Sequence, residues 1–261
     1  MVQIVNQKQA REVQKLSFCY LCGAPLGDLK SCDKDHVPPQ GIFRRNDRNF
    51  PIILPVHMRC NDAWQTTDER IKLLIDILHG KKITPHSKQY KVAFAVTESG
   101  RRIPLIGNIP LRAMIGRIIR GFHAALYGEF LPLDIKNKIL TPIPEGRIIN
   151  GKAILEEVLP QFKPMAGMLR ASVLARATDA IVSNNGKLRY ECAWPQLDDG
   201  RRFCIFGLDI YNWKSLGNEV SDEDYACIGS YFLDGYRPAK ATVATRIQVP
   251  SGFNVGLDPF D

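Results

Sequence analysis

The stretch from Cys19 to Asn61 constrains this chain more than any other. It reads C-Y-L-C-G, then D-K-D-H-V-P-P, then L-P-V-H-M-R-C-N. Two pairs of soft metal ligands, Cys19/Cys22 and His57/Cys60, bracket the acidic-histidine pair Asp35-His36. A spacing of two residues lets one tight turn aim both side chains of a pair at a single ion. Two such knuckles make the four-coordinate set of a structural zinc. Gly23, directly after the second cysteine, suits a turn that needs positive φ. Cys32 is an alternative fourth ligand to His57. Either way, the zinc clips together the segment that carries Asp35 and His36.

Composition sets the rest of the frame. The chain has 261 residues, 45% apolar and 24% charged, which is the balance of a globular protein long enough for one large or two ordinary domains. No window reaches the uninterrupted apolar length of a membrane span, and no charged-then-apolar leader opens it. Seven cysteines without regular spacing do not read as a disulfide framework. A reducing, cytoplasmic compartment with some of the thiols on metal fits better. Cys192, Cys204 and Cys227 read as strand and core thiols. The net charge of +8 is uneven: residues 1–90 carry 14 Lys/Arg against 9 Asp/Glu, residues 91–182 carry 13 against 7, and residues 183–261 carry 8 against 11. The basic first two thirds point to a polyanionic partner, with nucleic acid the leading candidate, although a basic surface also simply keeps a protein soluble.

Along the chain, residues 5–16 read as a short amphipathic helix. Pro38 and Pro39 cannot continue a helix or a central strand, so His36 ends an extended element. Residues 41–50 form a basic loop with Arg44, Arg45 and Arg48, and Ile52 to Val56 read as the second strand of a hairpin begun near Asp35. A helix can start near Cys60. Thr66 and Glu69 have the spacing of a capping box for a second helix, which Gly80 can end. Residues 92–109 read as a hairpin turning at Thr97 to Gly100. Leu111 to Tyr127 is the clearest helix, its apolar residues within a roughly 140° arc. Arg112, Arg117, Arg120 and His123 share the other arc and are expected to form a solvated face, with a phosphate-contacting face as the alternative. Residues 128–150 read as loop, helical patterns recur at 152–159 and 165–181, and strand character begins at Lys187, with a turn at Asp199-Gly200. His79, His86 and His123 receive no role.

The order C-x-x-C, D-H, apolar strand, x-x-C-N resembles the HNH endonucleases, the ββα-metal nucleases in which a hairpin and a helix clasp one divalent metal and many members add a structural zinc. The resemblance covers residues 17–79. It implies that His36 is the general base that takes a proton from the attacking water, and that Asp35 and Asn61 hold a catalytic cation. It also implies that Asn49 is the loop residue orienting the base. Asp and Asn offer hard oxygen ligands, which favour Mg²⁺ or Mn²⁺ over zinc at this second site. Two positions depart from the family pattern. His57 stands where cysteine is usual, and Asn61 stands where histidine often is, so that Asp62 or Asp68 are alternatives to it.

The expected architecture is α+β. A zinc-clipped ββα module occupies residues 1–88, and a mixed region fills residues 89–261, helical over 110–182 and strand-rich over 187–250. The expected activity is metal-dependent endonucleolytic hydrolysis of phosphodiester bonds, with DNA the leading substrate and Arg44, Arg45 and Arg48 on its phosphates. The alternative is a zinc-stabilised nucleic-acid-binding module without catalysis. The role of residues 89–261 stays open between substrate recognition, binding of a regulator and homodimer formation.

Overall fold

Alternation with period two builds the first sheet. Strand β2 (Cys32–Val37) pairs antiparallel with β3 (Ile52–His57), with Cys32 opposite His57 and Val37 opposite Ile52. Ile52, Leu54 and Val56 are wholly buried on one face, together with Asp35 and Val37. His36 and Lys34 lie on the other. The computed structural model describes residues 2–13, 15–27, 32–78, 80–82, 91–96, 102–107, 110–133, 135, 137–140, 145–149, 152–156, 159–196, 200, 202–211, 227–232 and 237–242. The expected boundary at residue 88, the turn at 97–100, Asp199 and the histidines at 79 and 86 lie outside them.

Before the hairpin stand β1 (Gln3–Ile4) and α1 (Gln7–Glu12), whose N-terminus is capped by the Asn6 side chain. After it, α2 (Met58–Asp62) begins directly at His57, and α3 (Gln65–Leu78) follows. Thr66 is not the cap of α3. The helical bonds start earlier, with the Asp68 N–H donating to the Trp64 carbonyl at 2.9 Å, so Thr66 lies inside the first turn. The other end is as the sequence reads. Gly80 has φ of 95°, and the N–H groups of Gly80 and Lys81 return to the carbonyls of Ile77 and Asp76.

Strands β4 (Lys91–Val96) and β5 (Arg102–Gly107) form the expected hairpin. Helix α4 spans Leu111–Tyr127, with Gly128 as its left-handed cap. Its arginine face is solvated only in part: Arg112 is exposed and Arg120 half-buried. Arg117 and His123 are each 1% exposed, because α4 is covered on both sides. One side packs on β2, where Gly121 meets Val37 and Tyr20, and the other packs aromatic rings on the large sheet, Phe122 on Tyr190 at 4.9 Å among them.

Residues 128–156 depart further from the sequence reading. They contain β6 (Asn137–Leu140), β7 (Glu145–Ile149) and β8 (Lys152–Glu156) where loop and helix are expected. β7 and β8 pair with each other, Ile149 opposite Lys152. Local pairing of two short apolar runs outweighs the helical spacing of the second, and Asn-Gly, the dipeptide most favoured between paired strands, separates them in the sequence. Helix α5 (Leu159–Leu174) ends well before residue 181, and the next residues enter a strand.

That strand, β9 (Asp179–Ser183), continues into β10 (Leu188–Ala193), β11 (Phe203–Ile210) and β12 (Cys227–Phe232). The sheet order is β1-β9-β10-β11-β12-β6, with β1 parallel to β9 and the other pairs antiparallel. β11 is buried at nearly every position, as expected of a strand covered on both faces. Asp179, wholly buried, accepts from the Val2 N–H at 2.7 Å, the Tyr127 hydroxyl at 3.0 Å, and the N–H and hydroxyl of Thr242. Four donors compensate for burying that charge, and they tie the segments at Val2 and Thr242 to the sheet. The apolar core runs without a break from Tyr20, Val37 and Leu54 through Ile118 and Phe122 to Tyr190, Phe206 and Tyr231. The chain is a mixed α and β structure, and none of the helices among the described residues is long and apolar enough to cross a membrane.

Candidate functional site

Cys19, Cys22, His57 and Cys60 converge, with their ligand atoms all within 4.8 Å of one another. The first knuckle is shaped by backbone bonds: the Gly23 N–H donates to the Cys19 carbonyl at 2.7 Å, and the Cys19 N–H donates to the Ala24 carbonyl at 2.9 Å. Gly23 has φ of 77°, and a Cβ there would lie 2.7 Å from the Phe130 ring, so glycine is required for both conformation and space. The second knuckle straddles the end of β3 and the start of α2. His57 turns Nδ1 toward Cys22 Sγ at 3.4 Å, while Nε2 lies 3.2 Å from the Pro25 carbonyl. With Nε2–H donating to that carbonyl, the lone pair of Nδ1 is left for the metal, the usual way a ligand histidine is oriented.

Thiol chemistry agrees. Burial raises the Cys22 thiol, but hydrogen bonds from the Ala24 backbone, His57, Cys19 and Cys60 outweigh it and bring the group down to about 7. Burial and the neighbouring thiols Cys22 and Cys19 push Cys60 up to about 11. Three thiols and one oriented imidazole form a donor set that fits a zinc ion, which would offset the charge of the thiolates formed on binding. The fourth place belongs to His57; Cys32 pairs across from it in the hairpin and lies outside the set.

The other residues read from the sequence are distributed differently. His36 is half-buried on the outward face of β2. Burial holds it below its ordinary value of 6.5, the Asp35 charge opposes that and the Arg48 charge reinforces it. Arg44, Arg45 and Arg48 are all exposed. Their loop is braced by the Arg48 Nε–H donating to the Phe43 carbonyl and by the Tyr211 hydroxyl, which accepts from the Arg44 N–H and donates to Asp47. Asn49 does not orient His36. Its side-chain amide donates to Asn185 Oδ1 at 2.9 Å and its carbonyl accepts from the Asn184 N–H, pinning the loop to the β9–β10 turn.

Asp35 is 5% exposed, and both carboxylate oxygens accept from Nη2 of Arg117 at 2.7 Å. The Tyr20 hydroxyl donates to Oδ2 as well. Arg117 also donates through Nη1 to Asp68 at 2.6 Å and through Nε to Tyr20 at 3.3 Å, and its guanidinium lies over Trp64 at 5.1 Å from the ring centroid. Burial lifts Asp68 to about 6, against the pull of Arg117. Removing one partner of such a buried pair strands the other charge, at a cost of about 3–5 kcal/mol. Asn61 donates to Asp33 Oδ2 at 2.7 Å, and Asp33 Oδ1 accepts the Lys34 N–H. The two residues assigned to Mg²⁺ or Mn²⁺ therefore engage separate protein partners, and as arranged they do not fit a shared divalent cation.

Sequence reasoning missed Arg117, Tyr20, Trp64 and Asp33. Arg117 was read only as part of the polar arc of α4; Gly121, one helical turn on, opens the same face of the helix to close approach. Comparison with protein-family models, with curated proteins and with solved structures gave no match.

Proposed function

We propose that this chain is a zinc-clipped, nucleic-acid-directed phosphodiesterase of the HNH type, acting on DNA. One juxtaposition carries the reading: a hairpin whose near end is tied by the Cys19/Cys22/His57/Cys60 set and whose far end carries His36 next to the connection between its two strands, on which Arg44, Arg45 and Arg48 are exposed. Zinc, bound by those four residues, supplies rigidity at the base of the hairpin. His36, kept neutral at pH 7 by its partial burial, accepts a proton from the attacking water. Arg44, Arg45 and Arg48 hold phosphates and offset charge that develops on the transferred group. No step is assigned to a divalent cation at Asp35.

A second reading, a nucleic-acid-binding module without cleavage, is favoured by one observation, the engagement of Asp35 by Arg117. Incubation of plasmid and of labelled oligonucleotides with the zinc-loaded protein, in Mg²⁺, in Mn²⁺ and in EDTA, separates the two. Cleavage that disappears in His36→Ala, with binding retained, supports hydrolysis. Binding without cleavage in every condition supports the second reading. Neither binding nor cleavage rejects both.

A further inference from the structure

We infer that Arg117 is the built-in counter-cation of the Asp35/Asp68 pair, and that the carboxylate beside His36 is held in place by this guanidinium where a related active site would carry a divalent metal. The inference stands apart from the nuclease reading, because its readouts are metal binding and stability.

The geometry is that of a filled cation position. Arg117 presents donors to three acidic or phenolic groups at once: Nη2 to both oxygens of Asp35, Nη1 to Asp68, and Nε to Tyr20. Its remaining face is covered by the Trp64 indole. Arg117 is 1% exposed, and of the two carboxylates Asp35 is buried with it while the Asp68 side chain keeps 29% of its surface. A divalent ion entering here would have to displace a guanidinium that donates to Asp35, Asp68 and Tyr20 at once. With both carboxylates ionised the cluster carries one net negative charge; burial lifts Asp68 to about 6 against the pull of Arg117, so that charge is lost only as the pH falls through that value.

Arg117 reaches across 82 residues of sequence, from α4 to β2. It can do so because Gly121, on the same face, lets the helix backbone settle against Val37. Arg117 is thus a positioning residue. It fixes Asp35, and through the adjoining peptide the outward His36, by a contact that residues 17–79 alone do not contain.

The test compares wild-type protein with Arg117→Gln, both zinc-loaded, by thermal unfolding and by electron paramagnetic resonance titration with Mn²⁺. Removing the guanidinium leaves two unpaired carboxylates, so the variant should melt lower and bind one more Mn²⁺ than wild type. Mn²⁺ at ten times its dissociation constant should raise the variant's Tm by about 3–5 °C and leave wild type unmoved. If Arg117→Gln does not fold without Mn²⁺, zinc retention and circular dichroism are followed during Mn²⁺ addition, and recovery is the expected result. Asp35→Asn in the Arg117→Gln background should abolish the extra Mn²⁺. The inference is overturned if wild type binds Mn²⁺ through Asp35, seen as a tenfold or greater loss of affinity in Asp35→Asn alone. An equal Mn²⁺ response in wild type and Arg117→Gln, whether present in both or absent from both, overturns it too.

Discussion

Replacing Gly121 by alanine adds a single methyl group where α4 rests on β2. That Cβ would lie 2.6 Å from Val37 Cγ1, 2.9 Å from Val37 Cγ2 and 3.2 Å from the Tyr20 ring. Val37 is 2% exposed and Tyr20 1% exposed, so neither can swing aside, and α4 must lift from the strand. Overpacking of this kind costs about 1–3 kcal/mol. Against it stands the helical advantage of alanine over glycine, about 1 kcal/mol. Gly116, five residues earlier in the same helix, isolates the two effects, because a Cβ there meets nothing within 4 Å. Gly116→Ala should therefore stabilise by about 0.5–1 kcal/mol. Gly121→Ala should fall below it by the overpacking cost alone, about 2–12 °C in Tm for a chain of this size. The assay is thermal unfolding by circular dichroism, with both variants zinc-loaded and scanned at one rate. A Gly121→Ala protein as stable as Gly116→Ala would mean that α4 does not touch β2 in this way, and the pairing of Arg117 with Asp35 would have no structural basis.

Three further expectations follow from the site. Purified protein should hold about one zinc per chain, absent from Cys22→Ser with a large drop in Tm, whereas the buried Cys204→Ser should keep it; elemental analysis of well-folded protein without zinc would refute this. His36→Ala should lower cleavage on the order of 10²–10⁴-fold with zinc content and substrate affinity unchanged. The pH profile has a definite sign. A base held below 6.5 stays neutral and active through pH 7, and loses activity as the pH falls through its lowered pKa, so an acid limb above pH 6.5 would count against His36. Replacing Arg44, Arg45 and Arg48 together should weaken duplex binding and flatten its log–log salt dependence by about 0.9 for each phosphate no longer neutralised, as read by fluorescence anisotropy across a salt series.

The sequence by itself determined the parts whose causes are local. Two knuckles of C-x-x-C and H-x-x-C type name their candidate ligands because each turn is closed within a few residues, whereas the choice of His57 over Cys32 came only from the structure, in which His57 stands at the head of α2 and joins Cys60 in the set. Helix α4 and the hairpins β2–β3 and β4–β5 were legible for the same reason: period and turn chemistry lie within one short window. β7 and β8 were not read, although they too pair locally, because KAILE satisfies a helical and an extended spacing equally well and only its partner strand decides. Tertiary structure alone decided what the arginines of α4 face. One helix with an apolar arc is ordinarily wet on its other side, but here a hairpin from residues 32–57 covers that side and takes Arg117 into the core. The fate of Asp35 was settled by the same packing. An aspartate next to a histidine reads as a metal ligand, and nothing within several residues of it says that a guanidinium 82 positions away will take both its oxygens. Long-range charge pairing depends on where helices land, and that depends on the whole core and not on any one stretch of it.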